Sequence, residues 1–496
     1  MTNAAQLAQL SPDERRALLT QLLHERASAT PSAHPLAYGQ RSLWFLHQLD
    51  PGSAAYNIAV GLRLRSPVDA LSLRRVFQTW LDRHAMLRSA YRLCGDEPAL
   101  EVQDYRAVCF VETDVAGYTE AELREQALAA YRRPFDLEHG PLLRVQLFHR
   151  AAADHVLLIT VHHIAADGWS LGLLLNEFRR LYEADLRGAP LRLPPPIASY
   201  SDFVKWQLEM LATADGGRLR DYWRQQLAGD LPVLNLPTDR PRPPIRSARG
   251  ATQEFSIGPE RVTPLKRLAK STHATLYTVL LAAFQVLLHR LTAQDDLLIG
   301  APMAGRSRAE FEGTVGYFVS PVVLRANLAG RPTFTAVIEQ ARQTVLAALD
   351  HQDYPFPLLV EQLQPRRDPS RSPVFDVLFN MQNVQRLGAA ADFLIPHNAR
   401  SSAQIGDLVL EPYPLPQEEG QFDLALDFYE TDDTLLGALR YSTELFDAAT
   451  VAQLQERYRA VLADMVAHPE QRIAAWPLCA EATPRRALAD REDLEV

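Results

Sequence analysis

Cysteine is scarce in this chain. Cys94, Cys109 and Cys479 are the only three, they lie far apart, and no C-x-x-C pair occurs. That argues against a disulfide framework and against a structural zinc site. A reducing, cytoplasmic setting is the natural expectation. An excess of basic charge is lacking too. The 51 Lys and Arg against 60 Asp and Glu leave a net charge of −9, which speaks against a nucleic-acid surface. No long uncharged apolar run is present, so no membrane span is expected. The opening "MTNAAQ" is polar, and residues 1–30 hold no apolar core of the signal-peptide kind. Three nucleotide and metal patterns are also missing: G-x-x-x-x-G-K-[ST], G-x-G-x-x-G and H-E-x-x-H.

What is present reads as a large globular protein. Hydrophobic residues make up 47% of the chain and charged residues 22%. A length of 496 residues exceeds one ordinary core and implies two or more domains, or one α/β unit built from two lobes. "LSPDERRALLTQLLHERA" carries a capping box at Ser11 and Glu14, with Pro12 at the first helical position. It predicts a helix or linker over residues 1–27. "YNIAVGLRLRS" (Tyr56 to Ser66) alternates like a strand, and "LSLRRVFQTWLDRHAMLRSAY" (Leu71 to Tyr91) reads as an amphipathic helix. "HVLLITV" (His155 to Val161) is a short apolar strand, and the segment after it has helical spacing as far as Gly188. The proline-rich "RGAPLRLPPPIASY" (Arg187 to Tyr200) marks a lobe boundary, dividing 28–187 from 188–496. "LPTDRPRPPIRSARG" (Leu236 to Gly250) reads as a surface strap. "ATLYTVLLAAFQVLLHRL" is helical, "DDLLIGAPMAG" strand-like, and residues 385–412 form a mixed, loop-like arm. No internal repeat is visible.

The chemistry concentrates in "HHIAADGWSLG" (His162 to Gly172), which holds two overlapping patterns. Gly168-Trp169-Ser170-Leu171-Gly172 spells G-x-S-x-G, the serine nucleophile elbow. That elbow needs its strand to run almost directly into the serine. Here the strand pattern ends near Val161, eight residues short, and no acid and histidine downstream are singled out. His162, His163, Asp167 and Gly168 spell H-H-x-x-x-D-G. A neutral imidazole can take the proton that an attacking amine or alcohol must lose. Asp167 would hold the loop, Gly168 would let backbone approach a ligand, and His162 would face away and pack. A metal site is weaker, because the pair lacks a third ligand at useful spacing.

With these segments in view, the chain resembles the condensation domains of nonribosomal peptide synthetases. The likeness rests on many stretches in the right order: "YGQRSLWFLHQLDP", "RHAMLRSAY", "RPFDLEHGPLLR", "HHIAADGWS", "YSDFVKWQ", "DDLLIGAPMAGR", "VGYFVSPVVLR", "HQDYPFPLLVEQL" and "RDPSRSPVFDVLFNMQN". The resemblance implies an α/β fold of two chloramphenicol acetyltransferase-like lobes in a V-shaped pseudo-dimer with a central tunnel. It implies an acyltransferase that joins a carrier-protein-bound acyl thioester to an amine or alcohol acceptor, forming an amide or ester. No cofactor would be bound permanently. The donor acyl or peptidyl carrier protein would present substrate on its phosphopantetheine arm, and the acceptor would be a small molecule or carrier-bound. A monomer would suffice.

Residue by residue, His163 matches the family's catalytic histidine. His162, Asp167, Gly168 and Arg306 match its structural set, with Arg306 the expected partner of Asp167. Tyr38, Gln40, Trp169, Ser170, Tyr317, Phe318 and Ser320 are expected along the tunnel. The chain departs from the family at Ala37, Gly39 and Ser42, where Ser, Ala and Arg are frequent, and at Ser320-Pro321, where Asn-Thr is frequent. Unusual substrates, such as polyketide-derived acyl chains, are one expectation from this. No carrier attachment site or adenylation domain is present and "ALADREDLEV" reads as an acidic end, so a stand-alone, chain-releasing enzyme is a further expectation. Two rivals stay open: an acyl-CoA-dependent acyltransferase of the same superfamily, and a non-catalytic carrier-docking platform.

Overall fold

A computed structural model describes residues 33–189, 193–366, 368–382, 393, 395, 402–416, 419–431 and 433–475. The helix expected over residues 1–27, Cys479 and the acidic tail lie outside the described residues. In chain order the elements are β1 (Ala33–Pro35), α1 (Tyr38–Leu49), β2 (Asn57–Leu64), α2 (Ala70–Arg83), β3 (Ser89–Cys94), β4 (Glu97–Val102), β5 (Cys109–Asp114) and α3 (Glu120–Arg132). Next come β6 (Leu143–Ala151), β7 (Asp154–His162), α4 (Gly168–Leu186), α5 (Tyr200–Leu211), α6 (Ala214–Gln226), β8 (Gly250–Ile257), α7 (Pro259–Ser271), α8 (Leu276–Thr292) and β9 (Asp296–Met303). The last are β10 (Ser320–Asn327), α9 (Phe334–Asp350), α10 (Phe356–Leu363), β11 (Val377–Gln382), β12 (Ala403–Ile405), β13 (Leu408–Pro412), β14 (Leu424–Glu430), β15 (Leu435–Ser442) and α11 (Ala448–Ala467).

These elements fall into two compact units. The first takes the chain up to Trp206 together with Glu310–Tyr317 and Ser402–Tyr413; the second takes Gln207–Ala309, Phe318–Ser401 and the chain from Pro414 on. The sequence reading divides the lobes once, at 187/188. The structure instead carries the first unit through the proline-rich stretch into α5 and adds two later segments to it. The reason is local packing. In β13, Leu408 and Leu410 are buried, and Leu410 pairs with Leu64 of β2. Gly61 of β2 faces Tyr413 so closely that an added Cβ would lie 2.3 Å from the Tyr413 carbonyl oxygen. Part of the expected 385–412 arm is therefore sheet.

The first unit has a six-stranded sheet in the order β12-β13-β2-β7-β6-β5, and a small sheet β1-β4-β3. Strand β7 lies between β2 and β6, both antiparallel to it. Every residue from His155 to His162 is buried, which explains the unbroken apolar run. Helix α2 stops at Arg83, short of the expected Tyr91. The Arg88 guanidinium donates to the carbonyls of Leu81 and Asp82 at 2.6 and 3.0 Å. These are carbonyls that the end of α2 leaves without a helical partner; His84 is extended, and the chain passes through a short 3-10 turn (Ala85–Arg88) into β3.

The second unit has a sheet in the order β10-β9-β11-β14-β15-β8. Helix α8 is buried along most of its length, from Thr278 to His289, as a helix apolar on all sides should be. Among the described residues no single helix is long and apolar enough to cross a membrane. The strap from Leu236 carries no helix or strand before Gly250. Arg242 holds it through Asp423, and Arg246 through Ser372 Oγ at 2.6 Å and the Gln421 carbonyl at 2.7 Å.

A repeat absent from the sequence is present in the topology. In the first unit β5 runs parallel to β6, β6 and β7 form a hairpin, β7 pairs β2, and α4 follows. In the second unit β11 runs parallel to β14, β14 and β15 form a hairpin, β15 pairs β8, and α11 follows. The loops correspond as well. The His163 N–H donates to Tyr56, the residue before β2; the Thr443 N–H donates to Arg249, the residue before β8. Asp167 precedes α4 and Asp447 precedes α11. Ser442-Thr443 thus stands in the second unit where His162-His163 stands in the first.

Candidate active site

Strand β7 delivers the two histidines. It runs one residue past its expected end and closes at His162, whose N–H donates to the Leu142 carbonyl at 3.1 Å. The His163 N–H donates to Tyr56 at 2.8 Å, and a tight turn follows, with the Ala165 N–H on the His162 carbonyl at 3.0 Å. Because neighbours on a strand face opposite ways, the two rings part. The His162 ring is buried, edge-on to His47 and Phe135 at 6.2 and 5.9 Å. Its Nδ1 accepts from the Ile164 N–H at 3.1 Å. Burial, with His163, His47 and Arg144 adding repulsion, pushes its pKa down to about 3, so it stays neutral.

The His163 ring is half-buried. Its Nδ1 lies 2.9 Å from the Ala166 carbonyl oxygen. A carbonyl only accepts, so Nδ1 carries the hydrogen and Nε2 carries the lone pair. Burial lowers the pKa of this ring, while the Asp167 charge and the Ala166 carbonyl pull it back up. The Tyr317 ring stands against it at 5.1 Å and 81°. Burial pushes the Tyr317 phenol up, with Tyr56 and Asp167 adding to the effect, so it remains protonated.

Asp167 is fully buried and caps α4, its carboxylate accepting the Ser170 N–H at 2.8 Å. Gly168 opens the helix; an added Cβ there would meet no atom within 4 Å. Ser170 is fully buried, donates to the Gly316 carbonyl at 3.0 Å and accepts its N–H at 3.1 Å. Trp169 donates through Nε1 to the Glu312 carbonyl at 2.8 Å. The Tyr200 hydroxyl donates to the Tyr317 carbonyl at 2.5 Å. Gly316 has no side chain to spare, since a Cβ would lie 2.0 Å from the Tyr200 ring. Residues 310–317 are thus pinned from three sides, which sets Tyr317 against His163.

The Ala166 contact thus engages Nδ1 of a half-buried imidazole and leaves Nε2 outside that contact. A family model described as "Condensation domain" matches residues 32–486. The chain belongs to the condensation domain family. It is 36% identical over 468 residues to a linear gramicidin synthase subunit of Brevibacillus parabrevis, covering 93% of this chain and 9% of that protein. Among solved structures it resembles the four-domain nonribosomal peptide synthetase holo-AB3403 bound to AMP and glycine, at TM-score 0.81 and 26% identity, covering 89% of this chain and 33% of that one. It also resembles the X-domain from teicoplanin biosynthesis, at TM-score 0.80 and 28% identity, covering 90% and 98%. The chain therefore spans under a tenth of the gramicidin synthase protein it matches. Its mixed α/β architecture, with one six-stranded sheet in each unit, is the chloramphenicol acetyltransferase-like fold of condensation domains.

Within this condensation domain, the first unit gathers His162, His163, Asp167, Gly168, Trp169, Ser170, Tyr317, Tyr38 and Gln40. Tyr38, in the first turn of α1, has the Arg41 guanidinium 5.5 Å from its ring centre. Gln40 is fully buried and bonded on all sides, so it braces the fold where a tunnel-lining role was expected. Ser170, expected along the tunnel, is likewise enclosed and engaged with Gly316. The second unit holds Arg306, Phe318 and Ser320. The Arg306 guanidinium lies 4.0 Å from the ring centre of Phe318, which is buried, and Ser320 opens β10. Sequence reasoning singled out neither Tyr91, Tyr200 nor Gly316. Tyr91 closes "RHAMLRSAY" and Tyr200 opens "YSDFVKWQ", but nothing in either segment shows which partner its hydroxyl meets.

Proposed function

We propose that this condensation domain joins a carrier-protein-bound acyl thioester to an amine or alcohol acceptor, with His163 as the group that handles the proton. The donor arrives on the phosphopantetheine arm of an acyl or peptidyl carrier protein. The acceptor nitrogen or oxygen attacks the thioester carbonyl, a new C–N or C–O bond forms, and the C–S bond breaks. The acceptor proton passes to His163 Nε2 and on to the departing thiolate. The observation that carries this reading is the bond from His163 Nδ1 to the Ala166 carbonyl, which leaves Nε2 basic. The open space over Gly168 supports it, because nothing in the fold requires glycine there. Release of the product from an assembly line belongs to the same proposal.

The test loads candidate carrier proteins with acyl chains and follows intact mass after adding the enzyme with amine or alcohol acceptors. Wild type should discharge the carrier, with product mass showing an amide or ester, and His163→Ala should not. Equal turnover from acyl-CoA would replace this reading with the CoA-dependent one. Carrier binding with no discharge by any pair would replace it with a docking platform.

A further inference from the structure

We infer that Gln40 and Tyr91 are positioning residues for this chemistry: together they grip the Ile164 carbonyl, and so shape the turn whose Ala166 carbonyl keeps the His163 hydrogen on Nδ1. The inference rests on His163 being the proton-handling group. Neither residue belongs to the H-H-x-x-x-D-G motif, and Gln40 and Ile164 are 124 positions apart.

Several backbone groups of the turn are held by neighbouring backbone or by the two histidine rings. The N–H groups of His162, His163 and Ala165 go to Leu142, Tyr56 and His162 carbonyls. The Ile164 N–H goes to His162 Nδ1, and the Ala166 carbonyl takes His163 Nδ1. The Ile164 carbonyl is where side chains from other elements take hold. It accepts from Gln40 Nε2 at 3.1 Å and from the Tyr91 hydroxyl at 3.1 Å. Gln40 Nε2 also donates to the Tyr91 oxygen at 3.1 Å, and Gln40 Oε1 accepts the Ala37 N–H at 3.3 Å. The amide can point only this way, since its nitrogen faces a carbonyl and its oxygen faces an N–H.

The triangle is fully buried: Gln40 is 0% exposed and Tyr91 1%. Each hydrogen bond is therefore costly to lose. Helix α1 supplies one corner, β3 the second and the turn the third. Ile164 lies between His163 and Ala166, so a shift of its carbonyl rotates the peptides that place both ends of the His163–Ala166 bond. A misplacement of about 1 Å at a reacting group can cost about 100-fold in rate.

Two variants test this in the intact chain. Tyr91→Phe keeps the ring and removes one donor to Ile164 and one acceptor of Gln40. Gln40→Met keeps the length and removes the three bonds of the amide, leaving Tyr91 on the Ile164 carbonyl. Folding is checked by circular dichroism and melting. With 15N-histidine labelling and His163→Gln to assign the ring, two-bond 1H–15N spectra read the tautomer. We expect wild type to show a single Nδ1–H form, and each folded variant a tautomer mixture with a displaced titration midpoint. In turnover, kcat should fall about 10- to 100-fold with KM unchanged. A His163 ring that keeps its wild-type tautomer and midpoint in both variants would overturn the inference. The spectra need no substrate, so wild type failing on every carrier would remove the function proposal while this arm still decides the positioning one.

Discussion

His163 and Ala166, three residues apart in one turn, are joined by a 2.9 Å contact between the imidazole Nδ1 and a main-chain carbonyl oxygen. The fully buried Asp167 follows, and its charge raises the basicity of that imidazole. Asp167→Asn keeps a capping side chain for α4 but removes the charge. The imidazolium loses its stabilising neighbour, so the His163 pKa falls further below that of a free imidazole. The acid limb of the pH–rate profile should therefore move to lower pH, measured as kcat across roughly pH 4 to 8. Asp167→Ala loses the cap as well and should cost about 1 kcal/mol or more in stability.

His162 titrates far below an unfolded histidine, at about 3. Below about pH 6.5 the unfolded chain takes up a proton at this position and the folded chain does not. The stability it contributes is complete above pH 6.5 and is lost as pH falls toward 3, by about 1.4 kcal/mol per unit. His47, His155 and His163 are shifted in the same direction and add to the loss. Urea unfolding between about pH 7 and 5 should show falling stability in wild type and a shallower fall in His162→Gln.

Gly168 opens α4 with no atom within 4 Å of where a methyl would stand, and its φ lies outside the left-handed region. Gly168→Ala should leave the melting temperature unchanged or raise stability by about 0.5 kcal/mol through the unfolded chain. Carrier discharge should nevertheless drop, because the methyl would fill space that the proposed substrate needs. Undiminished turnover would leave this glycine without a functional reason.

Ser170 spends its hydroxyl on both the N–H and the carbonyl of Gly316. Ser170→Ala leaves those two groups short of a partner and should cost about 1–3 kcal/mol. At temperatures where it stays folded, most turnover should remain. Intact mass should show no acyl group on this serine in wild type.

The motif spacing is legible in the sequence because it is local. The apolar run before His162, the helical spacing after Gly168 and the five-residue turn between them are all written within 35 residues of chain. They favour the histidine reading over a serine elbow, since an elbow serine must follow its strand directly. The end of α2 is less legible, because the extended His84 and the short 3-10 turn after it lie inside a stretch that keeps helical spacing. Strands β12 and β13 are hidden for a similar reason. They are short and set in a loop-like stretch, and their pairing (β13 on β2, β12 on β13) is a matter of tertiary placement.

Which residues can carry a proton, and that they sit together on a strand–turn–helix, is written in the order of the amino acids. How each of them is held comes from the fold. It sends Gln40 inward to meet Tyr91 and the Ile164 carbonyl, turns Ser170 into a brace for Gly316, and stands Tyr317 against His163. The physical reason is that a buried hydrogen-bonding group must find a partner wherever the fold places one. The Gln40 amide nitrogen and the Ser170 hydroxyl find partners between 51 and 146 positions away, a distance over which no local pattern carries information.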